Sequence, residues 1–360
     1  MALRTAATLA LALTRVPAAG AQDSSSPPAR DRDHPPAVHR VTRAWPVMGT
    51  MFTATAWGAD TTALLAMIRD ARDSVRLVDS LMSNYRESSE ITAANRAAGA
   101  AAPVPVSAQT FHVLTRARTY WRLSKGAFDP TVGPLVGAWG FYGDSGAVPP
   151  RRTLDSLRAL VGFAAVELDS ERRTVRLPRA GMRLDLGGIA KGYALDLARA
   201  ALRDPRVRGG SLDLGGNVLV FGRPPRGVKW IVGIAHPRRG GRVLGRVALD
   251  SGAVATSGDY EHFFRIGGVR YAHLIDPRTG HPARGVIAAT AIGPTGEWSD
   301  GLSATLFLAD ARRAVALSDS LPGVAVLYVR EPARGAVVRR RDVVLSARAR
   351  RWFAWDRAMR

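Results

Sequence analysis

The chain contains no cysteine among its 360 residues. That absence excludes disulfides, thiolate metal sites, iron–sulfur clusters, a cysteine nucleophile and a lipidated N-terminal cysteine. Lysine is nearly absent too: Lys125, Lys191 and Lys229 are the only three among 51 basic residues. No segment approaches the roughly 20 apolar residues a membrane helix needs, so no transmembrane segment is expected. Acidic residues number 30, which leaves a formal net charge of +21. A charge of that size signals nucleic acid or an anionic surface when the basic residues cluster. Here the arginines are scattered, their excess reads as a compositional habit, and no nucleic-acid partner is expected. One dense run is Arg339, Arg340, Arg341, Arg348, Arg350 and Arg351, interleaved with Trp352, Phe353 and Trp355. It reads as a solvated face or a tail packed by its aromatics, and residues 346–360 are set apart as a basic C-terminal tail.

What is present is the composition of a globular protein, with 46% hydrophobic and 22% charged residues. The N-terminus has the parts of an export signal. Arg4 supplies a short positive region, residues 6–13 an apolar core, and Ala19-Gly20-Ala21 a cleavage site before Gln22. Thr14 and Arg15 interrupt the apolar run. Residues 1–21 are expected to be a signal peptide, which places the mature protein in the periplasm or otherwise outside the cytoplasm with a charge of +19 after loss of Arg4 and Arg15. Residues 22–42, rich in Ser, Pro and charge, read as a flexible linker.

From residue 43 to 345 the periodicity predicts one composite domain. Strands are expected at 46–57, 210–221, 229–235, 243–249, 262–266, 269–275, 286–292, 325–329 and 336–345, with a hairpin at 166–168 and 174–177. Helices are expected at 61–83, 108–124, 154–161 and 299–309. Strand clusters interrupted by helix clusters indicate an α+β fold with mixed or antiparallel sheets.

The most informative segment is 184–196, LDLGGIAKGYALD. Met182, Leu184 and Leu186 read as the end of a strand, and the residues from Ile189 onward as a helix. Gly187 and Gly188 then form a turn where backbone can approach a ligand and direct N–H groups at an anion. Lys191 falls in the first helical turn. A lysine at this position, in a chain that otherwise uses arginine, suits a compact point charge. The spacing matches neither a P-loop nor G-x-G-x-x-G, and glycine turns between strand and helix are common, so the segment gains meaning from its company.

That company is PVMGTMF (46–52), SNYRESSEITAAN (83–95), GAFDPTVGPLVGAWGF (126–141), LDLGGNVLVFG (212–222), ATSGDYEHFF (255–264), YAHLIDPRTGHP (271–282) and EWSDGLSATLFLAD (297–310). In content and order these resemble the FAD:protein FMN transferase family, the ApbE-like flavin transferases, over about residues 45–310. The resemblance implies a Mg2+-dependent enzyme that breaks the pyrophosphate of FAD and attaches FMN to a threonine or serine of a target protein, releasing AMP. The implied target is a membrane-linked electron-transfer flavoprotein. A hydrolase using water as acceptor, a non-catalytic flavin-binding protein and a basic binding module using the C-terminal arginines remain as alternatives.

Position by position, the resemblance implies flavin-nucleotide contacts at Met48, Tyr85, Ala127, Phe128, Asp129, Asp185, Lys191, Leu274 and Ile275. Ser257 and Gly258 would shape the same pocket. His273 would be the general base for the acceptor hydroxyl, a role that suits a histidine of near-neutral pKa, with Asp276 orienting the turn or the imidazole. The implied metal ligands are the Gly188 carbonyl, Asp300, Glu297 and Thr305; carboxylates with a backbone carbonyl make a hard, oxygen-rich site. One departure stands out. Family members typically show D-x-x-x-T, whereas Asp300 is followed four residues later by Ala304. Thr305 comes next, rotated by roughly a quarter-turn or more from the expected face, and Ser303 is also off register.

Overall fold

The computed structural model describes residues 38–143, 145–224, 228–333 and 337–359. The expected signal peptide and most of the expected linker lie outside the described residues. The first strand, β1 (His39–Val47), already occupies the linker's last four positions and pairs antiparallel with β2 (Thr50–Gly58). The single strand expected at 46–57 is therefore half of a hairpin. Met48 and Gly49 form its two-residue turn at φ 51° and 69°, the left-handed backbone that such turns require. Apolar residues flank this turn on both sides, and only the change of phase from Val47 to Phe52 distinguishes the hairpin from one long strand in sequence.

The chain then forms α1 (Thr61–Met82), α2 (Glu90–Arg96), β3 (Val104–Pro105), α3 (Ala108–Ser124), α4 (Gly133–Ala138), α5 (Arg151–Arg158), β4 (Glu167–Asp169) and β5 (Thr174–Arg176). Capping explains the helix starts: Asp60, Ser89 and Ser107 each accept a backbone N–H from the first turn. α6 (Ala190–Ala201) follows an extended approach. That approach, expected as a strand end, is tied to the rest by one bridge, Arg183 to Val132. β6 (Val207–Leu214) and β7 (Asn217–Gly222) replace the one strand expected at 210–221, because Gly215 and Gly216 at φ 61° and 88° turn the chain back.

Next come β8 (Trp230–Ala235), β9 (Val243–Leu249), β10 (Gly252–Gly258), β11 (Phe263–Ile266), β12 (Val269–Ala272), β13 (Ile275–Asp276), β14 (His281–Pro282) and β15 (Val286–Gly293). The strand expected at 269–275 is thus broken at His273. α7 (Gly296–Phe307), α8 (Ala311–Ser320) and β16 (Ala325–Arg330) follow. Of the strand expected at 336–345, β17 (Val343–Leu345) forms, preceded by a short 3-10 turn. The basic C-terminal stretch is not a separate tail. α9 (Ala347–Trp352) leads into β18 (Phe353–Trp355), which pairs with β9.

The main sheet has eight strands in the order β1-β2-β6-β7-β10-β15-β16-β17, antiparallel throughout, and a smaller sheet runs β18-β9-β8. Period-two alternation divides the strands of the main sheet between two cores. On β16, Val326 and Tyr328 face the helices, while Ala325, Leu327 and Val329 face the small sheet. The helix side carries α1, α6 and α7. Small residues there, Ala253, Ala289 and Ala291, let α7 lie close against β10 and β15, so nearly all of α7 is buried. A third cluster gathers around α4 from Leu135, Val136, Trp139, Phe141, Leu154 and Ile275. No described helix is long and apolar enough to cross a membrane.

Candidate active site

Four segments distant in sequence meet beside the N-terminus of α6. The approach to α6 is clamped by Asn95: its side chain accepts from Leu184 N at 2.6 Å and donates to Leu184 O at 3.1 Å. Asp185 N donates to Pro130 O at 2.7 Å. Asp129, just before that proline, is buried, and its carboxylate accepts from Thr131 N at 2.8 Å and Phe163 N at 3.0 Å. Both Asp129 oxygens are thus engaged inside the protein. The residue expected as a flavin-nucleotide contact instead braces the loop that supports Asp185. Burial raises its pKa against those hydrogen bonds.

Asp185 accepts from Tyr142 Oη at 2.7 Å and from Gly187 N at 2.8 Å. The guanidinium of Arg183 lies 4.0 Å from the centre of the Tyr142 ring. Tyr85, 71% exposed, stands edge-on to Tyr142 with ring centres 6.0 Å apart. Burial first, and then Asp185, raise both tyrosine pKa values, so both stay neutral hydrogen-bonding groups. Tyr142 and Arg183 were missed from the sequence. Each flanks a quoted motif by one residue, and that adjacency was the available signal.

Tyr85 Oη donates to Phe141 O at 3.4 Å, and the Phe141 ring bridges to the second half of the site. Its centre is 5.3 Å from the ring of His262 and 6.4 Å from that of His273. His273 sits between β12 and β13. Its backbone N donates to His262 O at 3.0 Å, and its ring Nδ1 lies 3.1 Å from the same oxygen. A carbonyl can only accept, so Nδ1 carries the proton and Nε2 is the basic nitrogen. Burial, then the neighbouring His262, push His273 down to about 4, with Lys191 adding to the shift. The same lysine opposes the burial that raises the Glu261 carboxyl. Lys191 therefore faces this half of the site. Its Nζ makes a long contact of 3.5 Å to Gly187 O and pairs with neither Asp185 nor Asp196.

A cluster with tyrosine, arginine and aspartate at one end, a neutral imidazole at the other, and a lysine at a glycine turn can be set beside known proteins. The ApbE family model matches residues 48–328. This chain belongs to the ApbE family. The FAD:protein FMN transferase of Treponema pallidum is 32% identical over 308 residues, covering 81% of this chain and 85% of that relative. The Vibrio cholerae FAD:protein FMN transferase is 32% identical over 68% of this chain and 73% of its own length. Among solved structures, the ApbE protein of Thermotoga maritima has a TM-score of 0.76 at 31% identity, covering 87% of this chain and 99% of that one. The flavin transferase ApbE of Vibrio cholerae has a TM-score of 0.75 at 28% identity, covering 88% and 100%.

In this ApbE-family chain the α6–α7 junction brings together oxygen atoms that could hold a metal. Gly192 N would ordinarily donate to Gly188 O, four residues back. It donates instead to Asp300 Oδ2 at 2.8 Å, and Gly188 O accepts no hydrogen bond among the described residues. A free backbone carbonyl beside a buried carboxylate fits Mg2+, which takes one or two carboxylates and completes its shell with water and substrate phosphate. Ala304 faces the same point: a Cβ built on Gly188 would lie 3.4 Å from that of Ala304 and 3.1 Å from the Phe128 ring. The α7 residue facing Gly188 thus has no oxygen to offer. Thr305 Oγ1 is buried and has no hydrogen-bond partner among the described residues. Ser303 Oγ donates to Asp300 O at 2.9 Å and pairs with Ser257 Oγ at 2.9 Å.

Glu297 and Ile275 depart from expectation. The Glu297 carboxylate, expected as a metal ligand, is already engaged. It bonds His112 Nε2 at 2.6 Å and pairs with Arg116, both on α3. Burial pushes it up, but those hydrogen bonds outweigh burial and hold its pKa low. Among the described residues no group of three or more His, Asp or Glu could hold a metal. Of the two roles expected of Asp276 it takes the turn: it binds Arg278 at 2.8 and 2.7 Å and accepts from Arg278 N at 2.9 Å. Ile275 is 3% exposed within the α4 cluster. Met48 and Leu274 pack against the helix-side core, and Ala127 is buried.

Proposed function

We propose that this chain transfers FMN from FAD to a threonine or serine hydroxyl of a target protein, with Mg2+ as cofactor and AMP as the other product. The observation that carries the reading is the family match across residues 48–328, together with a neutral His273 whose Nε2 is left free by the bond at Nδ1. Tyr85 and Tyr142 offer ring faces and edges to a flat ring system. Asp185 and Arg183 fix its polar edge, and Lys191 places positive charge where a diphosphate would lie. Gly188 O and Asp300 would hold Mg2+, which when bound neutralises charge on the diphosphate as the P–O bond breaks.

His273 Nε2 accepts the proton of the acceptor hydroxyl. The freed oxygen attacks the FMN-side phosphorus, the bond to the AMP-side oxygen breaks, and AMP leaves with the electron pair. Asp276 serves this step by fixing the turn that follows His273. Export rests on residues 1–21, and a membrane-linked electron-transfer flavoprotein is the proposed target. The test mixes protein from Gln22 onward, FAD, Mg2+ and a domain bearing the acceptor threonine, and follows acceptor mass and AMP. The expected result is one FMN gained per acceptor, abolished by EDTA and by His273→Ala. AMP and FMN without labelling of a competent acceptor would mean a hydrolase. FAD bound but unchanged would mean that Ala304 has removed the chemistry. Signal cleavage after Ala21, read by N-terminal sequencing of the secreted protein, tests export.

A further inference from the structure

A cleft of about 640 Å3 opens on the other side of the α6–α7 pair, away from the tyrosine and histidine cluster. Its lining includes Arg199, Arg203, Asp196, Glu297, Phe221 and Trp298, none of which belongs to the proposed flavin site. The acids here are already engaged. Asp196 accepts from Gly296 N at 2.7 Å and Glu297 N at 2.8 Å, capping α7, and Glu297 is held by His112 and Arg116. The two arginines are not. Arg199, in the last turn of α6, lies over Phe221 with its guanidinium carbon 3.9 Å from the ring centre, and its Nη1 is buried without a partner among the described residues. Arg203 follows four residues later and lines the same cleft, its charge disfavours that of Arg199, and neither ion-pairs among the described residues.

Two guanidiniums converging on a cleft are unfavourable when unpartnered, because like charges repel and a buried N–H without an acceptor loses its hydration. A carboxylate presents one edge and satisfies one guanidinium fork. A tetrahedral dianion presents oxygen pairs on two faces and can take two. Leu219, Val220 and Pro294 supply an apolar wall, and the volume exceeds what a bare phosphate fills. We propose that this cleft is a second ligand site, for a small organic phosphate whose phosphate group sits between Arg199 and Arg203. It is independent of the flavin reading, since it uses none of those residues.

The test titrates inorganic phosphate, and separately glycerol 2-phosphate, into the full chain by calorimetry, with EDTA present and chloride holding ionic strength constant. Arg199→Gln, Arg203→Gln and the exposed control Arg208→Gln each remove one positive charge. The expected result is saturable one-site binding, tighter for the ester, weakened at least tenfold by either cleft variant and unchanged in the control. If Arg199→Gln fails to fold, Arg199→Lys keeps the charge without the fork and is expected to bind with intermediate affinity. No saturable binding, equal weakening in the control, or unchanged binding in the cleft variants would each overturn the proposal.

Discussion

His273 shows how one hydrogen bond assigns a role. With Nδ1 committed to the His262 carbonyl and the ring pushed down to about 4, the imidazole stays neutral and basic at Nε2 across the physiological range. The acid limb of kcat/KM for FMN transfer should therefore fall near pH 4 rather than near 6.5. His262→Ala removes a charge that disfavours protonation of His273, so the limb should move to higher pH, and a limb unmoved in that variant would refute the assignment. The stability sign follows from the same shift: a histidine depressed on folding contributes fully above about 6.5 and loses that contribution as pH falls toward 4. At the metal, the missing oxygen is the testable feature. Ala304→Thr places a hydroxyl one helical turn from Asp300, facing Gly188. Half-saturating Mg2+ in the transfer assay should drop about tenfold, equivalent to roughly 1.4 kcal/mol; a rise would show that no metal sits there.

Elements position these residues through contacts only glycine permits. A Cβ on Gly192 would lie 2.2 Å from Gly296 O and 2.5 Å from Asp300 Cβ. Gly192→Ala should push α6 and α7 apart, cost about 1–3 kcal/mol and raise the Mg2+ requirement, read by thermal unfolding and by titration of activity. The sequence announces such elements unevenly. α3 begins and ends where its periodicity and the Lys125-Gly126 stop predict, and β9 does so too, because each buries one face along its whole length. The β6–β7 hairpin was hidden since apolar residues flank the Gly215-Gly216 turn closely on both sides, and only a one-residue change of phase between Leu214 and Leu219 marks it. Asp185, Gly188, Lys191 and Asp300 were legible as candidates because they lie in ordered local motifs, and the fold brings their segments together. Glu297 misled for the converse reason. It is three residues from Asp300, and the α3 partners that claim it, His112 and Arg116, are 185 and 181 residues away. No local pattern reports that distance.

At the scale of the molecule, the C-terminal segment closes the core on the face of the main sheet opposite the helices. Phe353 is 8% exposed among Val232, Leu244 and Val247, and β18 extends the small sheet at β9. Arg348, one of the dense basic run, donates to Leu321 O at 2.8 Å and Val324 O at 3.2 Å, satisfying carbonyls beyond the end of α8. Ser346 caps α9 and also accepts from Val326 N at 3.0 Å on β16. These are structural tasks, and they explain why arginines and aromatics interleave there: the aromatics pack or stack while the charges reach carbonyls and solvent. Arg340 stacking on Trp355 at 4.9 Å shows both at once. Phe353→Ala should therefore destabilise the fold by about 3–5 kcal/mol through the cavity it leaves. Because that core lies across the sheet from the α6–α7 junction, FAD affinity of the fraction still folded should be unchanged. Chemical denaturation together with FAD titration separates the two effects. A full-strength fold after this substitution would mean that the segment lies on the surface as a tail, and would return its arginines to the candidates for an anionic partner.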